Sequence, residues 1–251
     1  MNLLEIQALV KKYYGLVAVD HVSLRIEDGE VVGLIGPNGS GKTTLFDCIT
    51  KFSEPNEGKV FFLGKEITGQ SAHGIVLRGL VRTFQQARIF PKMNLVENLL
   101  LAGQQHRLPY QWSNLWARGE LKGRQIELLH RAQTLIEWVG LSALKEEWAG
   151  NLSYGQRKLL AMIMALMPEP RLLLLDEPTA AVNPVMIEKI KSMIRELNRK
   201  GQTFFIIEHN MDVIMDLCTR VIVLDHGEKI AEGRPGEIQK NPRVIEAYFG
   251  V

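Results

Sequence analysis

The sequence predicts an α/β protein, with a mostly parallel sheet covered by helices on both faces, an antiparallel β section before it and a helical segment inserted within it. Apolar runs of buried-strand length at residues 31–35, 172–175 and 203–207 alternate with helical periodicity, as in a parallel sheet packed on both sides. The first third is rich in strand patterns and the middle third is helical.

In chain order, residues 3–9, 21–26 and 59–63 alternate or carry β-branched side chains, with turn signals such as Glu27-Asp28-Gly29 between them. Residues 31–35 run into a glycine-rich loop, and residues 42–50 then read as a helix. From Asn94 to about Gly150 the pattern is helical, most clearly at 96–101 and 128–138. Trp112, Trp116, Trp138 and Trp148 all fall in this stretch and are expected to pack inside it. Residues 185–200 form a helix between the last two buried strands, and 221–224 with 229–231 form a hairpin around Asp225-His226-Gly227-Glu228. The expected organisation is a core at 1–93 and 158–234, a helical subdomain at 94–157 and a C-terminal tail at 235–251.

Composition narrows the function. The 251 residues are 46% hydrophobic and 23% charged, with a formal net charge of +2, which gives no strong pull toward nucleic acid. The basic residues Lys122, Arg124, His130 and Arg131 read as a solvated helix face. Cys48 and Cys218 lack metal-ligand spacing and suit a reduced, cytosolic protein. The early Glu5 and late lysines are unlike a secretory leader. The longest apolar run, residues 159–167, falls short of the roughly 20 residues a membrane span needs.

Gly36-Pro37-Asn38-Gly39-Ser40-Gly41-Lys42-Thr43-Thr44 fits the phosphate-binding pattern G-x-x-x-x-G-K-[ST], after an apolar strand and before a helix. The glycines let the backbone curl so that N–H groups point inward at phosphate oxygens, and the helix adds its positive end. Lys42 would reach the β- and γ-phosphates, Thr43 would offer its hydroxyl to Mg²⁺, and Thr44 would lie near the α-phosphate. The run Arg171-Leu172-Leu173-Leu174-Leu175 ends in Asp176-Glu177. A buried strand rarely ends in adjacent acids unless a cation waits there. Asp176 would hold the Mg²⁺ shell through water, and Glu177 would polarise the attacking water as general base. Phe204-Phe205-Ile206-Ile207-Glu208-His209 repeats the design. His209 would hydrogen-bond the γ-phosphate, although a histidine after a strand is more often structural.

With two more motifs, these residues resemble the ATPase subunits of ABC transporters. Asn151-Leu152-Ser153-Tyr154-Gly155-Gln156 is similar to the family signature LSGGQ, with Tyr154 in place of the first glycine. Phe84-Gln85, followed by Phe90-Pro91, resembles the Q-loop, and 180–184 the D-loop, with Asn183 where many members have aspartate. Tyr13 stands where the family has an adenine-stacking aromatic, with Tyr14 as the competing candidate. His209 matches the switch histidine. The resemblance implies a P-loop NTPase (RecA-like) core, ATP and Mg²⁺, and hydrolysis coupled to transport. It implies that Gln85 reaches the metal and the water, and that Ser153, Gly155 and Gln156 contact the γ-phosphate held by a second ATPase subunit, a paralogue or another copy, in a head-to-tail dimer.

A narrower resemblance is to the ATPases of branched-chain (hydrophobic) amino-acid importers. It is carried by Val81-Arg82-Thr83-Phe84-Gln85, Asn94-Leu95-Val96-Glu97-Asn98, Tyr154, Asn183-Pro184 and the ending Asn241-Pro242-Arg243-Val244-Ile245-Glu246-Ala247-Tyr248-Phe249-Gly250. It implies two transmembrane permeases, an extracytoplasmic binding protein that acts indirectly, and a peripheral place on the cytoplasmic side of the cell membrane. The segment 86–93 would seat a cytoplasmic helix of the permease on Ile89, Phe90, Pro91 and Met93. Competing readings are the ATPase of a lipopolysaccharide-type export system, a soluble ABC protein acting on ribosomes or DNA, and a P-loop kinase. The kinase reading explains Lys42 but not Ser153-Tyr154-Gly155-Gln156.

Overall fold

The computed structural model describes residues 2–104 and 118–249. Trp112, Trp116, Gly250 and the side chain of Lys122 lie outside what it describes. The chain forms two compact units, residues 1–85 with 171–251 and residues 86–170.

Strands β1 (Asn2–Tyr13), β2 (Leu16–Glu27) and β3 (Val31–Ile35) lead into helix α1 (Lys42–Ile49). Then come β4 (Glu57–Phe62), β5 (Lys65–Glu66), α2 (Ala72–Leu77) and β6 (Leu80–Arg82). The second unit contains α3 (Leu95–Gly103), α4 (Arg118–Trp138) and α5 (Tyr154–Leu166). Back in the first unit lie β7 (Leu172–Asp176), α6 (Pro184–Arg199), β8 (Thr203–Ile207), α7 (Met211–Leu217), β9 (Arg220–Asp225), β10 (Glu228–Gly233), α8 (Pro235–Ile238) and α9 (Pro242–Phe249).

The first unit has two sheets. One is antiparallel, in the order β2-β1-β4-β5. The other runs β10-β9-β3-β8-β7-β6, parallel throughout except for β10 at its edge. Every residue of β3, β7 and β8 is buried, which is why these strands read as unbroken apolar runs. Leu4 and Phe62 of the first sheet share one core with Leu34, Leu174 and Phe205 of the second. Phe46 on α1 meets Phe205 with ring centroids 5.0 Å apart, and burying each ring stabilises the fold by about 1.5–3 kcal/mol. That contact fixes α1 against the sheet.

β1 and β2 are longer than their sequence pattern predicts, because bulges break the alternation. The register shifts between Ile6 and Leu9, where Ala8 has φ 43° and donates its N–H to Ser23 Oγ at 2.8 Å.

In the helical unit, Asn94 caps α3 in a reciprocal box with Glu97. Asn98 is fully buried and fixes the preceding turn: it accepts from Phe90 N–H at 2.8 Å and donates to the carbonyls of Phe90, Met93 and Asn94. Trp148 is 59% exposed, which corrects the expectation that it packs inside the subdomain. Its backbone forms an antiparallel bridge with Asn94. Among the described residues, no helix is long and apolar enough to cross a membrane.

Candidate nucleotide site

The phosphate-binding loop joins β3 to α1 within the first unit. Two of its glycines are sterically required. Gly36 has φ 151°, and a Cβ there would sit 2.0 Å from the Leu224 carbonyl oxygen. Gly41 has φ 98°, and a Cβ there would sit 2.2 Å from the Ala18 carbonyl oxygen. Both clashes are with backbone, so no rotamer relieves them. Lys42 Nζ donates to the carbonyls of Gly36 and Pro37, each at 2.8 Å, and to Ser40 Oγ at 3.2 Å. Burial lowers the pKa of Lys42, with Glu177 and Asp176 pulling the other way. No acid occupies the first turn of α1, so its positive end remains suited to an anion.

A cleft of about 600 Å³ opens beside this loop. Its walls include Tyr13, Asn38, Gly39, Gly41, Lys42, Thr43 and Thr44, together with Glu177 and His209. The structure thus brings these nine candidates together. Tyr13 donates to or accepts from Ser53 Oγ at 3.0 Å, and its ring lies under Lys11 Nζ. Tyr14 is not among the lining residues, and its side chain is wholly exposed. Leu16, Val17, Ala18 and His226 also line the cleft, and no phosphate or carboxylate pattern in the sequence marks them.

Glu177 follows β7 at φ 49°, a left-handed conformation of order 1–3 kcal/mol above the ordinary one. Gln85 Nε2 donates to Glu177 Oε2 at 2.7 Å, and His209 Nε2 lies 3.0 Å from Oε1. The carboxylate is thus gripped at both oxygens by the two side chains expected to share its work. In this structure His209 turns to Glu177, where the sequence reading directs it to a phosphate. Glu208, buried at the end of β8, accepts from Thr179 N–H at 2.8 Å and from His209 N–H at 3.0 Å, bracing the loop after β7 against the loop after β8.

Asp176 is buried and paired with Arg82, whose Nη2 lies 2.8 Å from Oδ2. Burial pushes the Asp176 pKa upward, and Arg82 opposes that shift. The sequence marks Arg82 only as part of the run 81–85 and gives it no role at the site, because nothing local shows that an arginine ending a three-residue strand meets Asp176. Thr43, Asp176 and Gln85 together offer a hydroxyl, a carboxylate and an amide oxygen. Such hard donors suit Mg²⁺, which takes one or two protein groups and completes its shell with water and phosphate oxygens.

Ser153, Gly155 and Gln156 belong to the helical unit and open α5. Ser153 Oγ accepts from Gln156 N–H at 3.4 Å, and Gln156 Oε1 accepts from Ser153 N–H at 2.8 Å. As an acceptor in this cap, the exposed Ser153 hydroxyl keeps its own proton for donation. Arg157 secures the turn before it, donating to the carbonyls of Leu152 at 2.9 Å and Gly150 at 2.6 Å.

Residues 19–180 match the ABC transporter family, and residues 228–251 match a family described as branched-chain amino acid ATP-binding cassette transporter. The chain is 38% identical over 249 residues to the high-affinity branched-chain amino acid transport ATP-binding protein BraF of Pseudomonas aeruginosa, covering 99% of this chain and 98% of that one. A crystal structure of a nucleotide-free ATP-binding cassette from an ABC transporter matches it along the whole of both chains, with a TM-score of 0.86 and 35% identity. A dimeric cassette in a post-hydrolysis state, bound to ADP and Pi, matches 92% of this chain and 98% of its own, with a TM-score of 0.79 and 26% identity.

Proposed function

The chain belongs to the ABC transporter family of ATP-binding subunits, and we propose that it hydrolyses ATP to drive an importer of branched-chain or other hydrophobic amino acids. The observation that carries the chemical part is the convergence of Gln85 and His209 on Glu177, beside the phosphate loop. The importer part is supported by the match at residues 228–251 and by the function named for BraF.

In this reading ATP lies in the cleft, with its adenine on Tyr13 and its phosphates along residues 36–44. Lys42 exchanges the carbonyls of Gly36 and Pro37 for phosphate oxygens. Glu177 takes the proton of the attacking water, Gln85 orients that water, and His209 holds the carboxylate and then the γ-phosphate. Thr43, Asp176 and Gln85 would hold Mg²⁺, which supplies neutralising charge to the phosphates. Ser153, Gly155 and Gln156 would cap the nucleotide of a second ATPase subunit, a paralogue or another copy, in a head-to-tail dimer. That a similar cassette is dimeric in a post-hydrolysis state supports the pairing of two subunits.

The subunit would sit peripherally on the cytoplasmic face of the membrane against two permeases, served indirectly by an extracytoplasmic binding protein. Phe90, 47% exposed on a turn fixed by Asn98, is suited to receive a permease helix. Reconstitution with its permeases and binding protein in vesicles tests this function. The expected result is ATP-dependent uptake of labelled leucine, isoleucine or valine. ATP hydrolysis with no uptake of any hydrophobic amino acid would refute the importer assignment.

A further inference from the structure

We propose that Arg82 is a positioning residue for the Mg²⁺ of the nucleotide site, holding the Asp176 carboxylate at a fixed spacing from the helix that follows the phosphate loop. This rests on the function proposed above and adds to it a residue outside the phosphate loop and the paired acids.

Arg82 ends β6, paired in parallel register with Leu174, two residues before Asp176 on β7. Its side chain is 4% exposed. One guanidinium nitrogen meets Asp176 Oδ2 at 2.8 Å, and the other meets Asp47 Oδ1 at 2.5 Å. Asp47 lies on α1, the helix that begins with Lys42 and Thr43. The guanidinium therefore bridges the metal-side carboxylate of one element to the helix carrying the metal-side hydroxyl of another. It also lies against the rings of Phe84, Phe46 and Phe52, with Cζ 5.1, 5.5 and 6.0 Å from their centroids.

The bond pattern favours positioning over simple charge pairing. An arginine paired with one carboxylate frequently grips it with two parallel bonds. Here the fork is divided between two carboxylates, the nitrogen on Asp47 also reaching Thr50 Oγ1 at 3.4 Å, and Nε is buried with no hydrogen-bond partner among the described residues. Two carboxylates against one guanidinium also leave the cluster net negative, which favours a cation. The guanidinium engages Asp176 through Oδ2, so Oδ1 is not taken by this contact. The residues after Arg82 hold the acids as well. Thr83 Oγ1 accepts from Asp176 N–H at 3.3 Å, and Gln85 reaches Glu177. One four-residue run thus orients both acids.

Groups that orient metal ligands typically contribute about 10–100-fold in metal affinity. The test is titration of purified full-length protein with a fluorescent ATP analogue, first in chelator and then across a Mg²⁺ series. Arg82→Met should bind the analogue without metal within about twofold of wild type, while its half-saturating Mg²⁺ concentration rises about tenfold or more. Arg82→Lys, which keeps the charge but not the divided fork, should fall between them. Asp47→Asn removes one arm of the bridge and provides the test if Arg82→Met fails to fold. It should raise the Mg²⁺ requirement several-fold. Unchanged or tighter Mg²⁺ binding in Arg82→Met, or in Asp47→Asn where the former is unfolded, would overturn the proposal. Failure of the wild-type protein to bind the analogue at all would instead refute the nucleotide-site reading beneath it.

Discussion

Alanine at Gly41 puts a methyl carbon where the backbone leaves no room for it. The new Cβ would sit 2.2 Å from the Ala18 carbonyl oxygen, against about 3.3 Å for a close carbon–oxygen contact. The loop, or the β2 backbone opposite, must move by about 1 Å. Gly41 also has φ 98°, which costs a residue with a Cβ about 1–2 kcal/mol. Gly39 is the control: its φ is 82°, but a Cβ added there would meet nothing within 4 Å. Without nucleotide, Gly39→Ala should therefore show the backbone cost alone, lowering Tm by about 2–4 °C per kcal/mol. Gly41→Ala should show the same cost and, in addition, misplace the start of α1. Misplacement of about 1 Å is enough to reduce function about 100-fold. Thermal unfolding without nucleotide, followed by titration with a fluorescent ATP analogue, separates the two. Binding weakened at least tenfold more by Gly41→Ala than by Gly39→Ala is expected. Equal weakening would refute the steric reasoning.

Tyr13→Ala should raise the ATP dissociation constant about two- to tenfold, the equivalent of about 0.5–1.5 kcal/mol of stacking, with Tyr14→Ala doing less; the reverse order in a nucleotide titration would move the adenine to the neighbouring residue. Burial raises the thiol pKa of Cys48 to about 11 and of Cys218 to about 12, so at pH 7.5 less than about 0.1% is thiolate. Iodoacetamide should label both slowly until denaturant is added, and rapid labelling of the native chain would contradict their burial. Asn98→Ala leaves the turn at Phe90 without its buried partner and should destabilise the protein by about 1–3 kcal/mol in denaturant unfolding. Phe90→Asp should leave stability and ATP binding intact but weaken permease association. Normal association and transport by that variant would place docking elsewhere.

The parts legible in the sequence are those whose physics is local. β3, β7 and β8 are buried on both faces, so their composition alone marks them. The glycine spacing of residues 36–44 follows from how closely backbone must approach an anion, and Lys42 and Thr43 come with it. Asp176 and Glu177 are conspicuous because acids so rarely end a buried strand. Arg82 was not legible, because its two partners lie 35 and 94 residues away in the chain and its strand is three residues long. Glu208 was overlooked beside His209, since only the fold shows that it braces Thr179. The lengths of β1 and β2 were obscured by bulges such as that at Ala8, and Trp148 reads as packing because residue type alone does not show which tryptophans the fold leaves exposed.

Turnover by Glu177→Gln in the assembled transporter tests most directly whether this carboxylate is the base. The amide still offers an oxygen to Gln85 but accepts no proton from water. Hydrolysis should fall by about 10²–10⁴-fold, with ATP affinity retained within a few-fold and a longer-lived ATP-bound dimer. Near-wild-type turnover, with nucleotide binding intact, would contradict the role assigned to Glu177 and with it the chemistry of the site.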